Sequence, residues 1–407
     1  MPHHRRIRLE KDDRGFHPFF LPINMTKKRN IPSQKESRER DSFFMQKALD
    51  LALKGKGRVS PNPLVGCVIV DAHGHRIGAG YHKKYGNAHA EVEAIRSVED
   101  TEALKDATVY VTLEPCSHHG KTPPCADLLA SLPIKRVVIA QKDPNPLVNG
   151  SGIEKLRAHD IEVSLGVLEQ EAEQVNEFFN HAQRFGRPFV TLKMAQTVDG
   201  YLAAADGDSQ WITGKAARTK VHEWRSHYDA VLIGRQTAMA DNPELTVRHV
   251  RGRQPMRVVL DGPYTLPREL HLFSDKHESK TTIITWNKEA SSDDVDPMIK
   301  LMKHNYFRGK VIQVSNKGGH VDLREAISAL GSIGVQSILV EAGQQLGSAL
   351  LREGLVDKVE LFLAPKLLGN GTRSIMDIGI FAMRDICALK EVTWQQIGDD
   401  MLLTGYI

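Results

Sequence analysis

The sequence predicts an α/β protein built as two successive layered units. Three observations carry that expectation. The chain has 407 residues, more than one hydrophobic core usually serves. Short apolar runs alternate with segments of helical spacing, the pattern of strands covered by helices. A seam falls in "FNHAQRFGRPFVTLKMAQTVDG", where a helix-like stretch stops near Gly186 and a new strand begins at Pro188. The expected units are therefore residues 41–186 and 187–407.

Residues 1–40 mix charge and proline with little periodicity and supply much of the net charge of +4, so they read as a disordered, solvated extension. They lack the apolar core and small-residue cleavage site of a secretory signal. Next, "DSFFMQKALDLALKG" has helical spacing, with Phe43, Phe44, Ala48, Leu51 and Ala52 on the apolar side. Val65–Val70 is a buried strand after a proline-rich loop, and "HRIGAGYH" is another strand. "NAHAEVEAIRSV" is helical, "ATVYVTLEP" a strand, "CADLLASL" a helix and "IKRVVIAQKDPNP" a strand, so the sheet is partly parallel. "EQEAEQVNEFFNHAQRFG" closes the first unit as one helix. In the second unit "DAVLIGRQT", "MRVVLDG", "KTTIITW", "GKVIQVS", "VQSILVEAG" and "VDKVELFLAP" read as strands. No apolar run reaches the roughly 18 residues that a membrane span needs.

There are four cysteines, Cys67, Cys116, Cys125 and Cys387, too few for a disulfide scaffold. A reducing cytoplasm is the expected setting, and there paired cysteines mean metal or catalysis. Cys67, in mid-strand, is expected in the core. Cys116 and Cys125 share one loop, upstream of which lies His89-Ala90-Glu91. A histidine and two thiolates make three protein ligands for zinc and leave the fourth tetrahedral position to water. Such an ion brings that water towards its hydroxide form at neutral pH. Glu91, close by but unbound, can take the proton and pass it to a leaving amine. Alone, each piece has a plainer explanation: His-x-Glu occurs by chance, and paired cysteines pack in cores. Together they follow the zinc nucleobase deaminase order, H-x-E and then P-C-x-x-C, except that eight residues rather than two separate the cysteines. His118 and His119 lie in that insert and compete as ligands, but Cys125 opens a helix, which suits a thiolate.

In the second unit the clearest local signal is the strand, Glu341, glycine turn and helix of "VQSILVEAGQQLGSALLREGLVD". Backbone N–H groups there suit a phosphate, although a glycine after a strand also simply makes a turn.

"SPNPLVGCVIV", "HAEVEAI", "EPCSHHGKTPPC" and "KDPNPLVNGSGIEKLRA" resemble the deaminase half of the bifunctional riboflavin-biosynthesis deaminase/reductases. "KMAQTVDGYLAAADGDSQWIT", "VHEWRSHYDAVLIGRQTAMADNPELTVR" and "VEAGQQLGSALLREGLVDKVELFLAPKLLG" resemble the reductase half, and the two resemblances cover about residues 41–407. The resemblance implies a cytidine-deaminase-like three-layer domain followed by a dihydrofolate-reductase-like α/β domain. It implies zinc ligands His89, Cys116 and Cys125, Glu91 as proton shuttle, and Asn62 on the pyrimidine, although "SPNP" also explains Asn62 as a turn-maker. It further implies NADPH contacts from Ala195, Trp211, Thr237, Asp241 and the turn Gly343, Gln344, Gln345, Leu346, Gly347, Ser348 and Ala349. Substrate contacts would come from Ser209, Arg225, Leu245, Arg248 and Glu341, with Lys193 and Asp199 as participants in positioning or proton delivery. The implied reaction is hydrolytic deamination of 2,5-diamino-6-(5-phosphoribosylamino)pyrimidin-4(3H)-one, then NADPH-dependent reduction of its ribosyl group. The implied partner is this small phosphorylated pyrimidine, with no nucleic acid or membrane, and a homo-oligomer is left open. Two alternatives stand beside it: a nucleobase or nucleoside deaminase fused to an unrelated α/β domain, and a zinc-stabilised RNA-binding protein with a basic arm.

Overall fold

The apolar runs resolve into two large sheets with no strand in common. The computed structural model describes residues 34–117, 123–146, 148–287 and 307–407, and Arg40–Ile407 forms one compact unit. The first sheet comprises β1 (Gly66–Val70), β2 (Arg76–Tyr81), β3 (Thr108–Leu113), β4 (Arg136–Gln141) and β5 (Glu162–Leu165), in the order β2-β1-β3-β4-β5. β1 is antiparallel to both its neighbours, whereas β3, β4 and β5 run parallel.

Alternation along the strands sends side chains to two faces. Cys67, Ile69, Val109, Val111, Val137 and Ile139 pack under helices α2 (Ala90–Arg96), α3 (Cys125–Ala130) and α4 (Ser151–Ala158). Val68, Val70, Tyr110, Val138 and Ala140 pack against α1 (Gln34–Leu53). The result is helix, sheet, helix: three layers, with Cys67 in the core as expected.

Helix α1 begins at Gln34, so residues 34–40 are helical rather than part of an extension; residues 1–33 lie outside the described residues. Its buried stripe is Phe44, Met45, Ala48, Leu49 and Ala52. Phe43, expected on that side, is 57% exposed, because a stripe of i, i+1, i+4, i+5 and i+8 starts one residue later. The helix rides directly on β1: a Cβ at Gly66 would lie 1.9 Å from the Ala48 carbonyl oxygen. Asp41 fixes its angle, accepting from Tyr110 Oη (2.9 Å) and from both Nη groups of Arg136 (2.9 and 2.8 Å).

The helix expected over Glu169–Gly186 is two, α5 (Glu169–Val175) and α6 (Glu177–Phe185). Asn176 separates them. Its side chain accepts from Leu64 N (2.7 Å) and donates to Leu64 O (2.9 Å), pairing with the backbone just before β1. Gly186, at φ 66°, ends α6 in the left-handed conformation that glycine adopts cheaply.

Two short pairs stand apart, β7 (Tyr201–Ala203) with β16 (Thr372–Arg373) and β12 (Asn316–Lys317) with β13 (His320–Val321). The second sheet has nine strands among the described residues. They are β6 (Phe189–Thr197), β8 (Ala230–Gly234), β9 (Met256–Leu260), β10 (Thr281–Thr285), β11 (Lys310–Gln313), β14 (Ser337–Glu341), β15 (Lys358–Ala364), β17 (Lys390–Ile397) and β18 (Asp400–Tyr406), in the order β11-β10-β9-β8-β14-β6-β15-β18-β17. From β11 to β15 all pairs are parallel, which suits buried runs such as Thr281–Thr285. Helix α7 (Lys215–His227) precedes β8, and α8 (Arg235–Asp241) follows it. The helices Leu323–Ser332 and Gln344–Arg352 pack on the largest core of this half. Among the described residues no helix is long and apolar enough to cross a membrane.

Removing Asp41 leaves the largely buried Arg136 guanidinium with Ser164 Oγ (2.7 Å) and the exposed Glu162 carboxylate (3.1 Å) in place of its buried bidentate partner. Asp41→Ala is expected to lower stability by about 3 kcal/mol, measured by urea unfolding followed by circular dichroism. Phe43→Ala, on the exposed side of the same helix, should change it by less than about 0.5 kcal/mol.

Candidate active sites

Two helix starts and one strand end supply the metal donors. His89 is the N-cap of α2, with extended backbone (φ −70°, ψ 163°). Cys125 is the first residue of α3, and Cys116 follows β3 by way of Pro115. The three donor atoms lie within 4.8 Å of one another. Cys116 Sγ is 3.6 Å and Cys125 Sγ 3.3 Å from His89 Nδ1. A tetrahedral zinc with Zn–S of about 2.3 Å and Zn–N of about 2.0 Å puts sulfur and nitrogen about 3.5 Å apart. The donor set fits that ion. His118 and His119 lie outside the described residues.

The Cys125 backbone N–H donates to Cys116 Sγ (3.3 Å). The side-chain hydrogen bond from Cys125 pushes the Cys116 thiol down, and the same bond and burial push Cys125 up. A divalent cation would deprotonate both. Glu91, in the first turn of α2, is buried, and that burial pushes its carboxyl up to about 6. Such a carboxyl exchanges a proton readily near neutral pH.

Four residues outside the motifs complete this site. His82, buried and kept neutral by burial, places Nδ1 at 3.0 Å from the Ala88 carbonyl and Nε2 at 3.1 Å from Asn62 Nδ2. A carbonyl only accepts, so Nδ1 carries the proton and Nε2 accepts from Asn62. The amide orientation of Asn62 is thereby set. Glu114 is a buried carboxylate that accepts from the backbone N–H groups of Asp143, Gly150, Gly152 and Ile153 (2.9–3.4 Å). Ser117 and Ser151 join the same two loops through their hydroxyls (2.6 Å). "LEP" directly before Cys116 was the available signal for Glu114; a histidine in "GYHKK" offered none for His82.

In the second half the chemistry gathers at the carboxyl end of β14. Arg225, in the last turn of α7, donates through Nε and Nη2 to the two oxygens of Glu341 (2.6 and 2.8 Å) and through Nη1 to the Thr246 carbonyl (3.1 Å). Burial alone would raise the Glu341 carboxyl, but the Arg225 guanidinium outweighs it and holds it below its usual range. Lys193, paired in register with Glu341, is lowered by burial and feels both charges. Arg248 forms an ion pair with Glu244 (2.7 Å), and its backbone N–H donates to His222 Nδ1 (3.2 Å). Leu245 is buried at φ 53°.

Beyond Glu341, Gly343 is the N-cap of the helix Gln344–Arg352, and no side chain caps it. The N–H groups of Gln344, Gln345 and Leu346 therefore suit a phosphate. Gly347 packs against Leu192, Ser348 Oγ accepts from Met376 N (2.8 Å), and Ala349 lies in the same helix. Thr237 Oγ1 faces Gly343 from α8, and burial raises Asp241 at the end of that helix. Ala195 is on β6 opposite Phe362. Ser209 and Trp211 are on the loop after residues 201–203; Trp211 is exposed under the Arg218 guanidinium (4.3 Å). Asp199 is committed elsewhere, accepting from Thr197 Oγ1 (2.5 Å) and from the N–H groups of Leu368 and Gly369. It therefore braces a turn.

Residues 38–141 match the cytidine and deoxycytidylate deaminase zinc-binding region, and residues 188–403 match the RibD C-terminal domain. Fold and sites thus define a zinc-binding deaminase and a reductase carried on one chain. The riboflavin biosynthesis protein RibD of Actinobacillus pleuropneumoniae is 39% identical over 92% of this chain and 97% of its own. That of Escherichia coli is 38% identical over 89% and 98%. Among solved structures, Acinetobacter baumannii RibD is 35% identical, with a TM-score of 0.79 over 91% of this chain and 99% of that one. The Thermotoga maritima diaminohydroxyphosphoribosylaminopyrimidine deaminase/5-amino-6-(5-phosphoribosylamino)uracil reductase is 37% identical, with a TM-score of 0.78 over the same shares. The chain belongs to the RibD family of bifunctional riboflavin-biosynthesis deaminase/reductases.

Cys116→Ser removes one thiolate from the trio without touching the carboxyl end of β14. Zinc content is expected to fall from about one per chain, and deamination with it. Reduction of the separately supplied deaminated intermediate should be retained within about twofold, as expected for distant, independent sites.

Proposed function

We propose that the first half deaminates 2,5-diamino-6-(5-phosphoribosylamino)pyrimidin-4(3H)-one and that the second reduces the ribosyl group of the product with NADPH. The observation that carries the reading is the His89, Cys116 and Cys125 donor set with buried Glu91 in the same helix turn. When bound, zinc supplies the Lewis acidity that makes water nucleophilic near neutral pH, and NADPH supplies hydride. The chain's own residues do the rest. His89, Cys116 and Cys125 hold the ion. Glu91 takes the proton of the attacking water and returns it to the amino group, which leaves as ammonia. Asn62, its amide turned by His82, hydrogen-bonds the pyrimidine edge.

In the second half Ala195, Trp211, Thr237, Asp241 and the turn Gly343–Ala349 hold NADPH. Ser209, Arg225, Leu245, Arg248 and Glu341 hold the substrate, with the arginines suited to its phosphate. Lys193, its ammonium made a stronger acid by burial, delivers the proton that accompanies hydride addition to the opened carbonyl. The working division is residues 41–186 for deamination and 187–407 for reduction.

The test is to incubate zinc-loaded protein with the diaminopyrimidine ribosyl phosphate, with and without NADPH, following ammonia and nicotinamide absorbance. Ammonia should appear in both samples, with NADPH consumed only after deamination. Glu91→Gln should retain zinc yet lose at least about 100-fold in ammonia release, the scale of a general acid–base contribution; undiminished turnover would remove Glu91 from its role.

A further inference from the structure

Helix α7 carries a buried histidine that the reductase assignment does not use. His222 is 5% exposed and stands one turn before Arg225, so the two side chains share a face of the helix. Its Nδ1 accepts from the backbone N–H of Arg248 (3.2 Å). Its ring lies flat on that of His249, with centroids 4.3 Å apart and planes 11° from parallel. Residues 246–249 form a strap that is held along its whole length. The Thr246 carbonyl accepts from Arg225 Nη1 (3.1 Å), and Gln254 closes on Val247 N and O (both 2.8 Å). His222 holds the last two residues.

Arg248 is the part of the strap that faces solvent, its side chain 45% exposed. Arg225 already donates through Nε, Nη1 and Nη2 to Glu341 and Thr246, so Arg248 is the freer cation for a substrate phosphate. Recognition needs the arginine's backbone held as well as its charge present, and His222 supplies that fixture. The imidazole has one group left. Nδ1 accepts an amide proton, so the ring's own proton is on Nε2. Nε2 makes no hydrogen bond among the described residues and is not sealed from solvent. Burial, with Arg225, His249 and Arg248 nearby, pushes His222 down to about 4 against the pull of Glu341. The ring is thus an uncharged donor at neutral pH.

We propose that His222 is a specificity-determining residue of the reductase site: Nδ1 fixes the strap that presents Arg248, and Nε2–H donates alongside Arg248 to the phosphate monoester of the substrate. The inference rests on the reductase reading above and on Arg248 as a substrate contact. It makes recognition of the phosphate depend on His222 and leaves hydride transfer independent of it.

The test measures kcat and KM for NADPH-dependent reduction by the full-length protein, with the deaminated intermediate and with its dephosphorylated counterpart. The melting temperature of each variant checks its folding. His222→Ala should raise KM for the phosphorylated substrate roughly 10- to 100-fold, the scale of a hydrogen bond to a charged group. Its kcat should hold, and KM for the dephosphorylated substrate should stay within about twofold. His222→Asn places an amide oxygen where Nδ1 accepts, and His222→Gln an amide N–H where Nε2 donates, so each should recover part of the loss. If wild type consumes no NADPH with the deaminated intermediate, the reductase reading itself fails. If wild type reduces it but has equal KM for both substrates, or if His222→Ala keeps KM or raises it for both alike, the assignment to His222 is overturned and the reductase reading stands. Should His222→Ala not fold, the Asn and Gln variants decide. Each lacks one of the two contacts and should raise KM for the phosphorylated substrate alone; wild-type KM in both overturns the assignment.

Discussion

The zinc-side architecture depends on one buried carboxylate. Glu114 directly follows β3, two residues before Cys116, and receives four backbone N–H groups from the loop and helix start at residues 143–153. A buried anion without those donors would cost several kcal/mol. The loop therefore has to close onto the end of β3 for the chain to fold. Closure demands glycine twice: Gly150 adopts φ 100°, and a Cβ at Gly152 would lie 2.1 Å from the Pro115 carbonyl oxygen. The Pro-Cys turn is thus pressed between its own strand and α4, and Cys116 arrives beside His89 and Cys125 already oriented. Structure and site are fixed by the same carboxylate.

The candidate metal donors were legible because each sits at a punctuation point of the chain. His89 caps α2, Cys125 opens α3, and Cys116 lies three residues past the end of β3. Local spacing carries all three. Glu114 was not legible, since its partners are backbone groups 29 to 39 residues away. The break at Asn176 escaped for a related reason: asparagine is tolerated in a helix, and only the long-range pairing with Leu64 makes it a joint. The β17–β18 hairpin was passed over although Val392 and Trp394 alternate with polar residues; the segment from Lys390 to Gln396 is exposed, and only these two apolar side chains mark its period. In the second half Glu341 announced itself after an apolar strand. Arg225 did not, because an arginine in a helix is usually solvated and its burial is a tertiary fact.

Both sites follow one electrostatic rule with opposite outcomes. Glu91 is buried with no arginine or lysine ion pair among the described residues, and burial pushes its carboxyl up to about 6. Glu341 is slightly less buried, and Arg225 grips both of its oxygens and holds its carboxyl below the usual range. Neighbouring Lys193 is then a buried amine beside a neutralised pair, and burial decides its pKa. The two glutamates thus differ in partners: burial dominates at Glu91, whereas at Glu341 the guanidinium outweighs burial.

Two adjacent residues join the halves, and they divide the task. Asn176 reaches back to the Leu64 backbone of the first sheet's entry. Glu177 reaches forward, accepting from Lys358 Nζ (3.2 Å) and Tyr406 Oη (2.8 Å) on β15 and β18 of the second sheet. A continuous helix would turn successive side chains about 100° apart around one straight axis. Breaking it at Asn176 frees each side chain to meet its own partner. The contact is close elsewhere too: a Cβ at Gly57 would lie 2.4 Å from the Ser226 carbonyl oxygen. Neither metal donors nor the Arg225–Glu341 pair belong to this joint. The halves therefore dock through residues other than the metal donors and the Arg225–Glu341 pair, but the joint adjoins the first site, because Asn62 lines the same cavity as Asn176, Glu177 and Ser337.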